Sequence, residues 1–243
     1  MKPTEVFDRQ LSAWRLSVGP GAKKSLLAYA RILSEYNKAN VVGTRDFGEI
    51  LNRHVLDSLS CLIFAPLRSA RNVADIGSGG GLPGIPLAVV LPGAEFTLFE
   101  SVGKKAAFLR YVSEELKLAN VGVVNSRIEE AAREKVYRGA YDVCTVRALA
   151  RLSVIAEYSL PLLRRGGHVV AMKGREDVEE WAEGGRASRV LGGRVCEEIP
   201  VPQMSGVEQK DRRLVLLEKI EETPRIYPRK TGTPVKAPLG RRK

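Results

Sequence analysis

The chain has 243 residues, 44% of them hydrophobic, which is enough for one sizeable α/β domain with an ordinary core. Its three cysteines, Cys61, Cys144 and Cys196, are odd in number and too far apart for a CxxC pair, which argues against a disulfide framework and a zinc site. No apolar run approaches the ~20 residues that span a bilayer, and the amino terminus lacks the order of a signal peptide. We expect a cytoplasmic protein that binds neither a membrane nor a metal.

The net charge of +11 is unevenly distributed along the chain. Residues 1–70 hold ten Lys/Arg against six Asp/Glu, residues 71–222 hold twenty-two of each, and residues 223–243 hold seven against none. Basic ends around a neutral middle suit a core that acts on a polyanion held by its extensions. Nucleic acid is therefore a candidate partner.

The first 70 residues have the apolar spacing of helices. Residues 21–38 and residues 46–64 both place apolar side chains three and four positions apart, at Leu26, Leu27, Ala30, Leu33, Ile50, Leu51, Val55, Leu59 and Leu62. This pattern predicts an N-terminal helical extension over residues 1–70.

From Asn72 onward, short apolar strands alternate with helical stretches. The strands are NVADIG, EFTLFE, VGVVNS, YDVCTVRA and HVVAMKG, and the helices are expected at 84–91, 104–117, 128–137, 153–164 and about 177–190. This alternation predicts a doubly wound parallel sheet. Two closing strands, GGRVCEEIPV and RRLVLLEKI, joined by a loop that includes Gln203 to Asp211, would pair antiparallel at the edge and make the sheet seven-stranded and mostly parallel.

The last residues, 223–243, contain four prolines, seven cations and no acid. Such a basic C-terminal tail should be extended or disordered unless it is bound to something. We therefore divide the chain into the extension at 1–70, an α/β domain at 71–222 and the tail at 223–243.

The first strand runs into a glycine-rich loop, DIGSGGGLPG, at residues 75–84. Glycine there lets the backbone turn sharply and approach a ligand, and Gly77, Gly79 and Gly81 are the candidate contacts. A strand-to-helix turn without a ligand is the alternative, although two glycines would suffice for it.

The ligand of this loop is indicated by its prolines and its acid. Gly79 to Gly84 fits the dinucleotide pattern GxGxxG, but Pro83 and Pro86 remove N–H donors from the turn that would hold a pyrophosphate. Asp75, directly before the loop, favours a cationic ligand. S-adenosylmethionine carries both an ammonium and a sulfonium, so it is the cofactor that we predict.

Acids after the next two strands extend the predicted nucleoside site. Glu100 ends the second strand about twenty residues past the glycines, where a carboxylate can accept hydrogen bonds from ribose hydroxyls. NAD would require such an acid too, and a surface glutamate is the other alternative. Ile128 and Glu129 follow the third strand, where adenine should lie. The same residues are also explained by a helix start, with Ser126 as its cap and Glu129 at the third position.

At this point the sequence resembles the RsmG (GidB) family of guanine-N7 methyltransferases that act on small-subunit ribosomal RNA. The similar segments occur in order along most of the chain: YNKANVVGT at 36–44, RHVLDS at 53–58, DIGSGGGLPGIPLA at 75–88, ESVGKKAAFLR at 100–110, SRIEE at 126–130, VRALARL at 146–152, MKG at 172–174 and YPRKTGTPVKAPL at 227–239. In YNKAN, tyrosine replaces the tryptophan of many relatives and keeps the aromatic character.

The resemblance implies the fold, the reaction and part of the site. It implies a class I S-adenosylmethionine-dependent methyltransferase that modifies N7 of a guanine in 16S ribosomal RNA, with naked RNA or a small ribosomal subunit particle as its partner. It also implies that the cofactor site includes the positions Gly77, Leu82, Ile128, Glu129 and Arg147. We expect the protein to act as a monomer.

The predicted reaction requires few catalytic groups. Guanine N7 has an unprotonated lone pair, so no base has to remove a proton before methyl transfer. The only histidines are His54 and His168, and no Ser-His-Asp or Cys-His arrangement can be assembled, so we assign no firm catalytic residue. Catalysis would consist mainly of positioning the two reactants.

Four residues are candidates for positioning the guanine. Arg147 and Lys173 lie at the carboxyl ends of the fourth and fifth strands, where open α/β sheets hold ligands, and Asn37 and Asn40 could hydrogen-bond the purine. For Arg147 the alternative is a surface salt bridge, and asparagine is also an ordinary turn residue.

His54 and Asp57 are three residues apart and so share a helix face. An ion pair or hydrogen bond to the core is the favoured interpretation of this pair, rather than catalysis. Two other functions stay open on the sequence alone: a small-molecule methyltransferase of the same fold, and a non-catalytic, nucleotide-sensing RNA-binding protein.

Overall fold

The structure is a computed structural model, described here for residues 2–174, 178–202 and 211–241. Within those ranges the chain forms a seven-stranded sheet in the order β3-β2-β1-β4-β5-β7-β6. The strands are β1 (Asn72–Ile76), β2 (Glu95–Phe99), β3 (Val121–Val124), β4 (Tyr141–Arg147), β5 (Leu163–Lys173), β6 (Gly193–Pro200) and β7 (Arg213–Lys219).

Strand pairing confirms the predicted doubly wound sheet. β1, β2, β3, β4 and β5 pair in parallel, whereas β7 is antiparallel to both β5 and β6. The strand order reverses between β1 and β4, because β2 and β3 continue on one side of β1 and β5 on the far side of β4. Open α/β sheets bind ligands at the carboxyl end of such a reversal.

Helices precede the sheet and connect its strands. They are α1 (Pro3–Ala13), α2 (Pro20–Glu35), α3 (Phe47–Glu49), α4 (Leu56–Leu59), α5 (Gly84–Val90), α6 (Gly103–Glu115), α7 (Ile128–Ala131), α8 (Leu152–Ser159), α9 (Val178–Val190) and α10 (Thr233–Lys236). A π-helical turn, Ile50–Val55, joins α3 to α4, and two 3-10 turns, Ser60–Ile63 and Ala65–Ser69, lead into β1. None of these helices is long and apolar enough to cross a membrane, within the residues described.

The two faces of the sheet carry separate apolar cores. Side chains alternate along each strand, so that Leu214 and Leu216 belong to one core while Val215 and Leu217 belong to the other. The first core also contains residues of α1, α2, the π-helical turn, α5 and α6, and the second contains residues of α7 and α8. The N-terminal helices are therefore packed on one face of the sheet.

Two predicted helices end earlier in the structure than the sequence indicates. The helix predicted at 128–137 ends at Ala131 and continues as tight turns, in which the amides of Arg133 and Glu134 bond three residues back. The helix predicted at 153–164 ends at Ser159, because Pro161 has no N–H to continue it, and β5 then begins at Leu163. The predicted loop from Gln203 to Asp211 lies outside the described residues apart from Asp211.

The C-terminal segment, residues 223–241, packs against the sheet domain, so the expectation of an extended or disordered tail is wrong for these residues. Arg138 donates hydrogen bonds to the carbonyl oxygens of Thr223 and Tyr227, at 2.8 and 2.9 Å. Arg229 pairs with the fully buried carboxylate of Glu157 on α8. Arg229, one of the cations on which the expectation of disorder was based, thus fixes the segment in place. The three-part division of the chain stays a prediction.

Candidate cofactor and active site

A cavity of about 200 Å³ lies at the carboxyl ends of β1 and β2, beside the reversal in strand order. We call it the cofactor cavity. Its walls come from the loop after β1, the end of β2, the start of α7, the segment after β4, α8 and α10. The residues that line it are Ile76, Gly77, Phe99, Ser101, Ser126, Arg127, Ile128, Glu129, Leu149, Ala150, Tyr158 and Val235. The structure therefore brings Gly77, Ile128 and Glu129 of the predicted site together.

Gly77 begins the glycine loop with a left-handed backbone, at φ +67°. A Cβ at this position would stand 2.7 Å from Cδ1 of Leu149, which is closer than real Cβ atoms approach. The left-handed backbone thus favours glycine, whereas Leu149 can move aside, since its Cδ1 is the end of a flexible and partly exposed side chain. A residue without a Cβ at the cavity wall is the feature expected where a backbone approaches a ligand.

Gly80 in the same loop is required by a different neighbour. Its Cβ would stand 2.5 Å from the carbonyl oxygen of Val41, and the hydroxyl of Tyr29 donates to the Gly80 carbonyl at 2.5 Å. Part of the glycine content therefore serves the contact with the N-terminal helices. Gly81, at φ +90°, and Leu82, which packs against the first core, do not line the cofactor cavity in the described structure.

Glu100 is 6% exposed, so the surface-glutamate interpretation is wrong. Its Oε2 accepts a hydrogen bond from the Gly79 amide at 2.9 Å, and its Oε1 accepts one from the Val102 amide at 2.7 Å. A carboxylate oxygen has capacity for a second hydrogen bond. Glu100 thus shapes the glycine loop and keeps the capacity to accept a ribose hydroxyl.

Asp75 is fully buried behind the loop and does not line the cofactor cavity. Successive side chains of a strand point to opposite faces, so Ile76 borders the cavity while Asp75 points away from it. Oδ1 of Asp75 accepts a hydrogen bond from Oγ1 of Thr145 at 2.8 Å. Burial raises the pKa of this carboxyl to about 6. A direct contact between Asp75 and a cationic ligand stays a prediction that this placement does not favour.

Ile128 and Glu129 form one wall of the cavity. Ile128 supplies an apolar surface, and Oε1 of Glu129 accepts hydrogen bonds from the Tyr158 hydroxyl at 3.1 Å and the Gly232 amide at 2.9 Å. The alternative of Ser126 as a helix cap is wrong, because α7 begins after Arg127 and has no side-chain cap. Burial raises the pKa of Tyr158, which therefore stays a hydrogen-bond donor.

Arg147 ends β4 in a buried cluster with the N-terminal helices. Its Nη2 lies 2.7 Å from Nδ1 of His54 and 3.5 Å from Oδ2 of Asp57, and its side chain is 11% exposed. A surface salt bridge is therefore a wrong description of Arg147. The favoured structural interpretation of His54 and Asp57 agrees with these contacts. The cluster joins the carboxyl edge of the sheet to the π-helical turn.

The charges of this cluster follow from its burial. A guanidinium only donates, so Nδ1 of His54 accepts and its neutral ring carries the proton on Nε2. Burial, helped by the positive charge of Arg147, lowers the pKa of His54 to about 4. Burial also raises the pKa of Asp57, although Arg147 and Arg212 oppose this.

Lys173 holds the segment that follows β4. Its Nζ donates to the carbonyl oxygen of Ala150 at 3.1 Å and to Oε1 of Glu180 at 2.8 Å. Because Leu149 and Ala150 line the cofactor cavity, Lys173 acts on that wall through the backbone. Its predicted contact with a base stays untested.

Asn37 and Asn40 are exposed in the segment between α2 and α3. Asn37 borders a surface groove with Tyr36, Lys38 and Tyr111, in which the two tyrosine rings stack at 5.8 Å. Neither asparagine is among the described residues that line the cofactor cavity. Their contact with a purine stays a prediction.

Several wall residues were missed from the sequence. Ser101, Leu149 and Val235 lie within or beside segments that carry the family resemblance, which was their only signal. Tyr158 lies in an apolar helix and has the pattern of an ordinary core residue. No cluster of three or more His, Cys, Asp or Glu suited to a metal occurs in residues 2–174, 178–202 and 211–241.

Sequence comparisons relate the chain to one family over most of its length. The family profile of rRNA small subunit methyltransferase G matches residues 22–215. A relative from Rubrobacter xylanophilus named ribosomal RNA small subunit methyltransferase G is 53% identical over 97% of this chain and 90% of its own. A relative of the same name from Brevibacillus brevis is 38% identical over 97% of this chain and 98% of its own.

Solved structures show the fold. The O-methyltransferase TomG from Streptomyces achromogenes, determined in complex with SAM, has a TM-score of 0.53 at 18% identity, covering 91% of this chain and 100% of its own. A branched-chain polyamine synthase from Thermus thermophilus has a TM-score of 0.59 at 14% identity, covering 84% of this chain and 65% of its own. The sheet is that of class I S-adenosylmethionine-dependent methyltransferases, as predicted. The chain therefore belongs to the rRNA small subunit methyltransferase G family, and it is a methyltransferase that uses S-adenosylmethionine.

Proposed function

We propose that the chain methylates N7 of a guanine in 16S ribosomal RNA. The observation that carries the proposal is the 53% identity, over 97% of the chain, to a relative named for small-subunit ribosomal RNA. The choice of N7 rests on the sequence resemblance and on the chemistry of the site. We infer that the protein works as a monomer in the cytoplasm, where small ribosomal subunits are made and used.

The residues of the cofactor cavity suit S-adenosylmethionine, which supplies a sulfonium-bound methyl group when it is bound. Gly77 provides the close backbone approach and Ile128 an apolar face for adenine. Glu100 does not line the cavity, but it follows Phe99 of the cavity wall and is a buried acceptor that we expect to reach the ribose. The cavity of about 200 Å³ is smaller than the several hundred Å³ of most ligand sites. Leu149 and Val235, the partly exposed apolar side chains at its wall, are the groups that we expect to shift on binding.

The state of His54, in the cluster with Arg147, supports a reaction without a general base. His54 is neutral at physiological pH, but the Nδ1 that would accept a proton already accepts Arg147. Because N7 has a free lone pair, the chain has only to hold the guanine in line with the methyl group. Methylation moves the positive charge from the sulfonium to the guanine, so acceptor groups that face the base edge would stabilise the transition state.

The basic surface supports an RNA substrate. The exposed cations of the C-terminal segment are Arg225, Lys230, Lys236 and Arg241, and this segment borders the cofactor cavity through Val235. Phosphates bound there would lie beside the cofactor cavity. The stacked pair Tyr36 and Tyr111, next to Lys38, offers a surface on which an unpaired base could stack.

Mapping N7-methylguanine in 16S ribosomal RNA tests the proposal. Cells that lack this chain should lose one modified guanine, and the wild-type gene should restore it, whereas a Gly77→Ala variant should not. In vitro, the purified chain should transfer a labelled methyl group to naked 16S RNA, to an assembly intermediate or to the complete subunit.

Other outcomes would select the alternatives. Transfer to small metabolites but to none of the three RNA substrates would identify a small-molecule methyltransferase. Binding of S-adenosylmethionine without turnover on any RNA would identify a nucleotide-sensing RNA-binding protein. A methyl group at another atom would contradict the assignment of N7 alone.

A further inference from the structure

The C-terminal segment, residues 223–241, contributes to the cofactor cavity through Val235, and it lies beyond residue 215, where the match to the family profile ends. Val235 of α10 is 58% exposed, and its side chain faces the same cavity as Ile128 and Glu129. An exposed apolar side chain at a cavity wall gains stability when a ligand covers it. The segment is thus placed to contact what binds there.

The segment also fixes a group on the opposite wall. The amide of Gly232 donates to Oε1 of Glu129 at 2.9 Å, next to the Tyr158 hydroxyl at 3.1 Å. With Oε1 held by two donors, the Glu129 side chain has one orientation and its Oε2 is left for a ligand donor. Removal of the segment would release this carboxylate from one of its two restraints.

Strong anchors hold the segment at this position. The backbone amide and side chain of Arg229 donate hydrogen bonds of 2.6 to 3.1 Å to both carboxylate oxygens of the fully buried Glu157. Beyond Val235 along the chain, the carbonyl oxygen of Gly240 accepts a hydrogen bond from Nε of Arg186 at 2.5 Å. Anchors on both sides of Gly232 and Val235 keep these two residues against the cavity.

We propose that the C-terminal segment is a wall of the cofactor site, in which Val235 covers the nucleoside end of S-adenosylmethionine and the Gly232 amide positions Glu129. This inference rests on the proposed cofactor cavity. It gives the basic tail a role in cofactor binding that is separate from any contact of its cations with RNA. Val235 and Gly232 are positioning residues, since they act on the cofactor and on Glu129.

Calorimetric titration of the full-length protein with S-adenosylmethionine tests the proposal. Val235→Trp should fill the cavity and weaken binding by about tenfold or more. Val235→Ser, which keeps the space but removes the apolar contact, should weaken binding by about threefold. Val190→Trp is the matched control, because Val190 is an exposed valine at the end of α9, and its affinity should equal that of the wild type.

Hydrogen–deuterium exchange gives a second readout that does not depend on a substitution. S-adenosylmethionine added to the wild-type protein should slow exchange in a peptide that contains residues 229–236. Slower exchange there would support a cofactor wall, and unchanged exchange would overturn it. Folding of the variants is checked by their unfolding midpoints.

The Gly77→Ala variant separates failure of this inference from failure of the site. If Gly77→Ala loses binding while both Val235 variants bind like the wild type, the cavity is supported as the cofactor site, and the proposed role of the C-terminal segment is overturned. If Gly77→Ala also binds like the wild type, the assignment of the cofactor cavity falls and this inference falls with it, whereas the proposed function rests on the family identity and is tested separately by mapping the methylated guanine. Loss of affinity in Gly77→Ala and both Val235 variants, with a normal Val190→Trp, supports the proposal.

Discussion

Nη2 of Arg147 lies 2.7 Å from Nδ1 of His54, across 93 positions of sequence. This contact joins the end of β4, at the reversal in strand order, to the π-helical turn of the N-terminal extension. π-Helical turns inside helices are rare and frequently occur at functional sites. Here the π-helical turn contains His54, whose Nδ1 accepts a hydrogen bond from Arg147. The orientation of the Arg147 side chain at the end of β4 therefore depends on a neutral His54.

The stability of the protein should depend on the protonation of His54. Its pKa is about 4 in the folded protein and ordinarily 6.5, so the unfolded chain takes up the proton first as the pH falls. The stabilisation is complete above pH 6.5 and is lost between about 6.5 and 4. We expect a loss of at most about 3 kcal/mol in the free energy of unfolding from this group.

A His54→Asn variant is the reference for this measurement, because its Oδ1 can accept from Arg147 without titrating in that range. Asp75, whose raised pKa of about 6 has the opposite effect on stability, is present in both proteins and cancels in the difference. Urea unfolding at several pH values should show the wild type losing stability relative to the variant below pH 6.5. Parallel profiles would contradict the predicted coupling.

Gly80→Ala should destabilise the contact between the glycine loop and the N-terminal extension. The new methyl group would stand 2.5 Å from the Val41 carbonyl oxygen, so one of the two segments must move. We expect a loss of about 1 to 3 kcal/mol in urea unfolding. Gly43→Ala is the control, since nothing lies within 4 Å of its Cβ position and no loss should follow. Equal stability of the two variants would refute the packing role of Gly80.

The sheet could be predicted because its information is local. Strands such as β1 and β2 are short apolar runs whose burial follows from their own residues, and the alternation of strand and helix restricts the connections. The glycine loop and the pair Ile128 and Glu129 were predicted as site residues in the same way, and Gly77, Ile128 and Glu129 line one cavity. The alternative of a Ser126 helix cap was local as well, and the start of α7 after Arg127 excludes it, whereas a ligand-free glycine turn stays an alternative to the predicted cofactor loop.

The rest of the site depends on contacts between distant segments, which a single sequence does not display. Asp75 is next to the loop in sequence, but the alternation of the strand turns its side chain away from the cavity. The tail looks disordered by composition, yet the buried carboxylate of Glu157 on α8 supplies the charge that orders Arg229. The sequence around Glu157 contains no signal that this residue pairs with Arg229.

Lys173→Met should lower the affinity for S-adenosylmethionine if this lysine acts through the Ala150 carbonyl. Loss of that hydrogen bond would loosen the cavity wall at Leu149 and Ala150, and we expect binding to weaken by about fivefold to tenfold. Lys24→Met, at an exposed lysine of α2, is the control for loss of a charge. An unchanged cofactor affinity with a raised KM for RNA would instead favour a direct contact between Lys173 and the base.

RNA binding should become less dependent on salt when exposed cations of the C-terminal segment are removed. Each phosphate contact contributes a slope of roughly 0.7 to the plot of log affinity against log salt for single-stranded RNA. The double variant Lys230→Gln/Lys236→Gln should therefore give a plot whose slope is smaller in magnitude than that of the wild type, by up to roughly 1.4. Lys135→Gln/Arg189→Gln removes two other exposed cations and serves as the charge-matched control. If both double variants keep the wild-type slope, the segment does not bind the RNA backbone, and its role is limited to the cofactor cavity.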